Sequence, residues 1–332
     1  MNGLTALFMD AFARVQLVLF EAVVQPALFR LGLSGLIEDA FDGTAWLMVG
    51  LLEIAVLLLV IGPLERLRPA EAVIDRTSVR IDVVYTLIHR LGLVPVAMFF
   101  LLQPLWDAAS AWARAQGLPT WQLDAIVGPV FPGITDTAGF SFVLYVVVFD
   151  FVGYWLHRAQ HQFNWWWALH SLHHSQRQMT MWSDNHNHLL DDILIATAFA
   201  LLARLIGVEP GQFVAITVIT QLLESLQHAN TRVAFGAVGE RLLISPRFHR
   251  LHHSIGIGHE SAGRGTLGGH NFGVLLPVWD LLFRTHNFDA RFDATGVRDQ
   301  LPEEGARDYG AGFWRQQWLG LTRLATSFRK HA

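Results

Sequence analysis

Long apolar runs separated by short charged loops dominate the first two thirds of the chain. Residues 45–63 (AWLMVGLLEIAVLLLVIGP) carry a single charge, Glu53, over a length that crosses hydrocarbon as a helix. A second run lies at 91–106 and a third at 139–155 (GFSFVLYVVVFDFVGYW). Residues 4–36 repeat apolar positions at helical spacing, but Asp10, Arg14 and Glu21 interrupt them, a pattern that suits a helix lying in the membrane interface. Residues 192–227 are broken by Gly207-Val208-Glu209-Pro210-Gly211, which stops one helix and starts the next. The spacing therefore predicts a helical hairpin, with His188 before it and His228 after it on one side. After Ser254 the chain turns glycine-rich, then gives PVWDLLF, a short helix or turn. From Phe313 to Phe328, Trp314, Trp318, Leu321 and Phe328 share one helical stripe, with Arg315, Arg323, Arg329 and Lys330 around it. Two readings fit: a basic amphipathic helix on an anionic inner leaflet, or a helix packed on the protein's own cap. The expected fold class is all-α, an integral membrane bundle of about three spans plus a helical hairpin.

Composition agrees with a membrane setting: 52% of the 332 residues are hydrophobic, only 16% are charged, and mean hydropathy is +0.34. There is no cysteine, so disulfides, iron–sulfur clusters and thiolate-ligated haem are excluded and any metal must sit on nitrogen and oxygen. A net charge of −4 without a basic block gives no reason to expect nucleic acid. No positive leader with a small-residue cleavage site precedes the first apolar run, so no signal peptide is expected. The loop after the first run holds Arg66, Arg68, Arg76 and Arg80, whereas residues 107–138 hold only Arg114. That asymmetry places the first loop in the cytoplasm, and arginine dominance suits a bacterial inner membrane.

Histidines carry the chemistry. H-S-L-H-H-S at His170–Ser175 returns as H-R-L-H-H-S at His249–Ser254. On a helix, positions i, i+3 and i+4 share a face, so each box aims three imidazoles at one small volume, and neutral imidazole is the commonest metal ligand. A third pair, His157 and His161, continues a stripe that begins at Asp150 and Tyr154 and runs out of the third apolar run. His186, His188 and His228 complete the cluster in sequence, while His89, His259, His286 and His331 read as structural. Asp150 is the expected outer partner of a ligating ring, with Tyr154 beside it. Asn230 and Asn271 are candidates to bond ligating rings or a metal-bound water, or else to cap backbone.

Eight to ten convergent histidines overfill a single catalytic zinc, which needs about three protein ligands, and suit two metals. Arg158 occupies the position where the metalloprotease motif H-E-x-x-H needs its glutamate. No E-x-x-H pair of the soluble di-iron bundles occurs. Imidazole also accepts zinc, copper and nickel, so affinity alone does not select iron. Gly263–Gly268 matches G-x-G-x-x-G but has no preceding strand, so no dinucleotide site is expected. Trp165–Trp167 reads first as an interfacial aromatic belt and second as a wall over a lipid tail.

HRAQH at 157–161, HSLHH at 170–174 and HRLHH at 249–253 resemble the three boxes of the fatty acid hydroxylase and sterol desaturase family. NHLLDD with His188, QHANTR with His228, and Asn271-Phe272-Gly273 followed by WDLLFRT resemble that family's accessory histidines and tail. The resemblance covers roughly residues 140–286. It implies a membrane non-haem di-iron centre that uses O2 to hydroxylate or desaturate a lipid C–H bond. The implied ligands are His157, His161, His170, His173, His174, His188, His228, His249, His252 and His253. His186 falls where the family pattern departs and is set apart from these, and Asp191 stands there as an outer-shell acid. Arg284 stands where the family usually has glycine. Two Fe ions, O2, a lipid substrate and an external ferredoxin- or cytochrome-type electron donor with its reductase follow from the same resemblance. The chain then divides into an N-terminal interfacial helix and first spans (1–138), a catalytic domain (139–286) and an amphipathic tail (287–332), with the boxes on a cytosolic helical cap. A zinc-dependent membrane hydrolase and a non-enzymatic membrane metal-binding protein are the competing functions.

Overall fold

The computed structural model describes residues 3–117, 121–255 and 269–329. His259, the Gly263–Gly268 motif, Lys330 and His331 lie outside the described residues. Among the described residues the regular structure is helical, and the only β pairing is an isolated bridge between Ser254 and Thr295.

Helix α1 (Gly3–Leu19) runs into a π turn. Helix α2 (Ile37–Val56) belongs to a continuous helical rod, Ser34–Leu67, that contains a second π turn at Leu57–Ile61. Asp75 accepts from the Thr77 and Ser78 amides and so caps α3 (Arg76–Arg90), and Gly92 in the left-handed region separates α3 from α4 (Leu93–Ala115). Thr137 caps α5 (Ala138–Gln162), which leads within two residues into α6 (Asn164–His174). The hairpin forms where the sequence breaks it. Helix α7 (Leu189–Ile206) stops at Gly207, whose φ is +73°, and α8 (Pro210–His228) starts on proline. Ser245 caps α9 (Pro246–His252); α10 (Val278–Leu282) and α11 (Phe313–Arg329) follow.

Two helices among the described residues are long and apolar enough to cross a membrane, Ser34–Leu67 and Ala138–Gln162. Both leave large side chains uncovered, among them Leu51, Leu58 and Leu59 on the first and Val143 and Trp155 on the second. The second apolar run lies in α4.

Charge inside this apolar frame is paired. Arg90 reaches Glu53 at 3.0 Å and Asp184 at 2.8 Å, and donates to Gln221 and Ser225, tying α2, α3 and α8 together. A buried cation is tolerated only when it is paired and hydrogen-bonded in this way. Helices α2 and α3 meet so closely that a Cβ on Gly50 would fall 1.5 Å from the Arg90 carbonyl oxygen. The loop after the first rod folds onto the histidine-bearing end: Arg250, inside the third box, pairs with Glu71 at 2.8 Å, and the Ala70 and Glu71 amides donate to Asn230.

Candidate metal centre

Four helix ends converge. The last two turns of α5 bring His157 and His161; α6, packed on α5, brings His170, His173 and His174; α9, packed on the end of α8, brings His249 and His252, with His253 just past it and His228 at the end of α8. Nine histidines meet in two neighbouring groups of four and a third set that links them. His157, His161, His170 and His174 place their ligand nitrogens within 4.8 Å of one another, as do His173, His228, His249 and His253. His174, His252 and His253 form a third set that joins the two.

The spacings suit metal ions. His228 Nε2 stands 3.1 Å from His173 Nε2 and 3.0 Å from His249 Nε2, and His249 Nε2 stands 3.2 Å from His253 Nε2. Nitrogens bound about 2.1 Å from a shared ion lie roughly 3.0–3.4 Å apart, depending on coordination number. His170 Nε2, His174 Nε2 and His252 Nε2 are buried without a hydrogen-bond partner. Buried nitrogens of this kind are costly unless something else binds them. Burial first, and the neighbouring imidazoles second, push His173, His174, His249 and His253 well below the ordinary histidine range, so these rings are neutral and their lone pairs available at pH 7.

Outer contacts fix several rings. Because a carbonyl only accepts, His157 Nδ1 donates to Phe272 O (3.0 Å), His228 Nδ1 to Glu224 O (2.8 Å) and His252 Nδ1 to His270 O (2.7 Å), which leaves each Nε2 for the centre. His170 Nδ1 pairs with Asp191 at 3.1 Å, and Asp191 is held in turn by Gln160 and by Trp166 Nε1. Trp167 packs its ring 5.0 Å from His161 and 5.3 Å from His174. Trp166 and Trp167 thus contact the histidine cluster and its outer acid, beyond the interfacial aromatic belt that is the first expectation for this triplet.

Several expected residues sit elsewhere. His188 is not among the nine. Its Nε2 donates to Gln317 O (2.9 Å) and its Nδ1 accepts from the Leu190 amide (3.1 Å), so both ring nitrogens are engaged at the cap of α7. His186 pairs through Nδ1 with Asp82 at 2.6 Å and stacks on Tyr85. Asp150 touches no imidazole. Seven residues along a helix is about 10 Å, too far for its carboxylate to reach His157, and it accepts instead from the Leu275 and Leu276 amides and Trp279 Nε1. Tyr154 OH meets Thr285 and Arg158. Asn230 takes the cap role, holding the 70–71 backbone. Asn271 donates to the Phe248 and Asn287 carbonyls.

The tail motif explains itself as a clamp. Asp280 accepts from the Phe272 and Gly273 amides, both at 2.8 Å, and from Thr285 Oγ1 at 2.7 Å. Burial pushes Asp280 up to about 6, still ionised at neutral pH. A Cβ on Gly273 would meet Asp280 Oδ2 and Ile244 at 2.8 Å, which accounts for glycine there. The turn so fixed presents the Phe272 carbonyl to His157. His270 and Gln160 were missed by sequence reasoning, and adjacency to the Asn271-Phe272-Gly273 motif was the one available signal for His270; Phe272 was named only as part of that motif, without its carbonyl's role toward His157.

Paired histidine boxes folded against one another at the end of an apolar helix define the histidine-box class of helical metal-site proteins. Comparison narrows the class: residues 142–285 match the fatty acid hydroxylase family model. The chain is 27% identical over 158 residues to an ornithine lipid hydroxylase of Rhizobium tropici, covering 48% of this chain and 45% of that protein. It is 25% identical over 145 residues to an alkylglycerol monooxygenase of Caenorhabditis elegans (43% and 26%) and 27% identical over 113 residues to a sterol desaturase of Gibberella zeae (34% and 35%). The match spans less than half the length of each of these relatives. No solved structure matches the chain.

Proposed function

We propose that this protein is a membrane-bound, O2-dependent di-iron oxidoreductase that hydroxylates, or desaturates, a C–H bond of a lipid. The observation that carries the reading is the pair of adjoining, separate four-histidine groups, which suits two ions better than one. His157, His161, His170 and His174 would hold the first iron, and His173, His228, His249 and His253 the second, with His252 at their shared boundary. His188 and His186 are left out of the ligand set. When bound, such a pair supplies the O2 activation needed to take hydrogen from an unactivated carbon.

The protein's part is positioning and exclusion. Phe272 O, Asp191 and His270 O hold three rings with Nε2 inward, while Trp167 and Phe272 pack beside the His161 ring. The names of the relatives, a lipid hydroxylase, a lipid monooxygenase and a sterol desaturase, favour C–H oxidation of a lipid over hydrolysis. The wider reading keeps about three spans and the hairpin in a bacterial inner membrane, with residues 139–286 as the catalytic domain and residues 287–332 as the amphipathic tail. The arginine-bearing loop, which folds onto the box end, supports a cytoplasmic active site. Electrons come from a separate ferredoxin- or cytochrome-type donor.

The test joins metal analysis of the reduced protein to comparative lipid mass spectrometry of cells with and without the gene. Two irons per chain, O2 consumption and a lipid that gains one oxygen or loses two hydrogens are expected. Stoichiometric zinc with a hydrolysed lipid and no O2 use would establish the hydrolase instead.

A further inference from the structure

The C-terminal helix α11 has two unlike faces. One packs along α6, the helix of the second histidine box: Gln316, Gln317 and Gly320 are buried, Gln317 O receives His188, and Arg323 Nε donates to Ala168 O. Contact is close enough that a Cβ on Gly320 would fall 2.2 Å from the His188 ring. The other face is bare. Trp314 is 79% exposed, Trp318 65%, Phe328 61% and Leu321 41%, all on one stripe about 80° wide by helical geometry. Two tryptophans left this open are uncommon on a face that meets only water.

Position and charge say what covers the stripe. Helix α6 starts two residues after α5 ends, so α11, packed on α6, lies against the element that directly follows an apolar span, where Trp155 and Phe163 are exposed. Tryptophan is the residue favoured at span ends, amphipathic enough for the headgroup zone. The arginines around the stripe are largely committed. Arg315 pairs with Asp308 at 2.6 Å, and Arg323 lies over the Tyr309 ring. Only Arg329, among the described residues of the helix, remains on the open side. We propose that α11 docks its Trp314–Trp318–Leu321–Phe328 face into the bilayer interface by apolar contact rather than by attraction to anionic lipid, and so anchors the second histidine box at the membrane surface. This departs from the electrostatic leaflet binding that the basic composition suggested. It rests on the proposed membrane setting and is independent of the proposed chemistry.

The chain has no cysteine, so single labels are direct. Nitroxides are attached at Trp314→Cys, Trp318→Cys and Leu321→Cys, with Leu59→Cys on the first span and Glu303→Cys on an exposed loop as references. The protein is reconstituted in zwitterionic phosphatidylcholine vesicles, with and without phosphatidylglycerol. Power saturation then compares collision with O2, which enters lipid, and with a water-soluble nickel chelate. Expected is an O2-to-nickel ratio at 314, 318 and 321 several-fold above that at 303, unchanged by phosphatidylglycerol. A ratio equal to that at 303 while position 59 remains lipid-exposed overturns the docking and leaves the membrane reading intact. Lipid contact only with phosphatidylglycerol overturns the apolar mode. Dipolar broadening between labels at 318 overturns it in favour of a second copy of this chain.

Discussion

At the scale of single residues, the boxes are legible because i, i+3, i+4 spacing is a local property, and local spacing survives folding. What a lone histidine does is not local. His188 sits in a motif that reads as a ligand, yet its role is set by Gln317, far along the chain, and by the start of α7. His188→Ala is therefore expected to keep full metal stoichiometry while losing about 1–2 kcal/mol of stability with its cap and carbonyl contact. His173→Ala is expected to lose metal and turnover. Inductively coupled plasma analysis of both variants decides; metal loss in His188→Ala alone would restore it as a ligand. Arg284 offers a second test. It stands at φ +58°, a conformation that costs an L-residue roughly 1–2 kcal/mol and glycine little. Because glycine also enlarges the unfolded ensemble, Arg284→Gly is expected to raise stability by only about 0.5–1 kcal/mol, seen as a higher melting temperature.

At the scale of elements, the hairpin break is legible in Gly207 and Pro210 and the apolar runs in their length, whereas the caps Asp75, Thr137 and Ser245 emerge only in the structure. The acids could not be assigned so simply. Asp150 shares a helical stripe with His157, but a stripe aligns directions without closing the axial distance, and its partners come from the turn before α10. That turn couples to the centre through Asp280, which holds the backbone whose carbonyl orients His157. Asp280→Asn sets an amide NH2 against one of two backbone donors. The expected cost is about 1–3 kcal/mol of stability and a roughly 10- to 100-fold weaker metal affinity, measured by chelator competition. Parental affinity in this variant would show that the clamp supports the fold without tuning the centre.

At the scale of the whole molecule, nine imidazoles in one buried volume tie stability to both metal and pH. His173, His174, His249, His252 and His253 titrate well below their unfolded value, with burial the main cause. For a histidine with a depressed folded pKa, the unfolded chain binds protons that the folded chain refuses, so stability is complete above about pH 6.5 and falls as the solution is acidified through that value. Each such ring contributes up to roughly 1.4 kcal/mol per pH unit once the unfolded form is protonated. Metal ions compete for the same lone pairs, so acid and chelator act in one direction. Free metal at about a hundredfold over its dissociation constant would add roughly 2.7 kcal/mol. The melting temperature of the chelator-treated protein is thus expected to lie below that of the loaded protein at pH 7.5, and both are expected to fall between pH 6.5 and pH 5. The loaded form should release its metal over the same interval, followed by a fluorescent metal indicator. A melting temperature flat from pH 7.5 to pH 5 in the metal-free protein would mean that the cluster is open to solvent and already charged, and the buried, neutral nitrogens on which a two-metal centre depends would be lost with it.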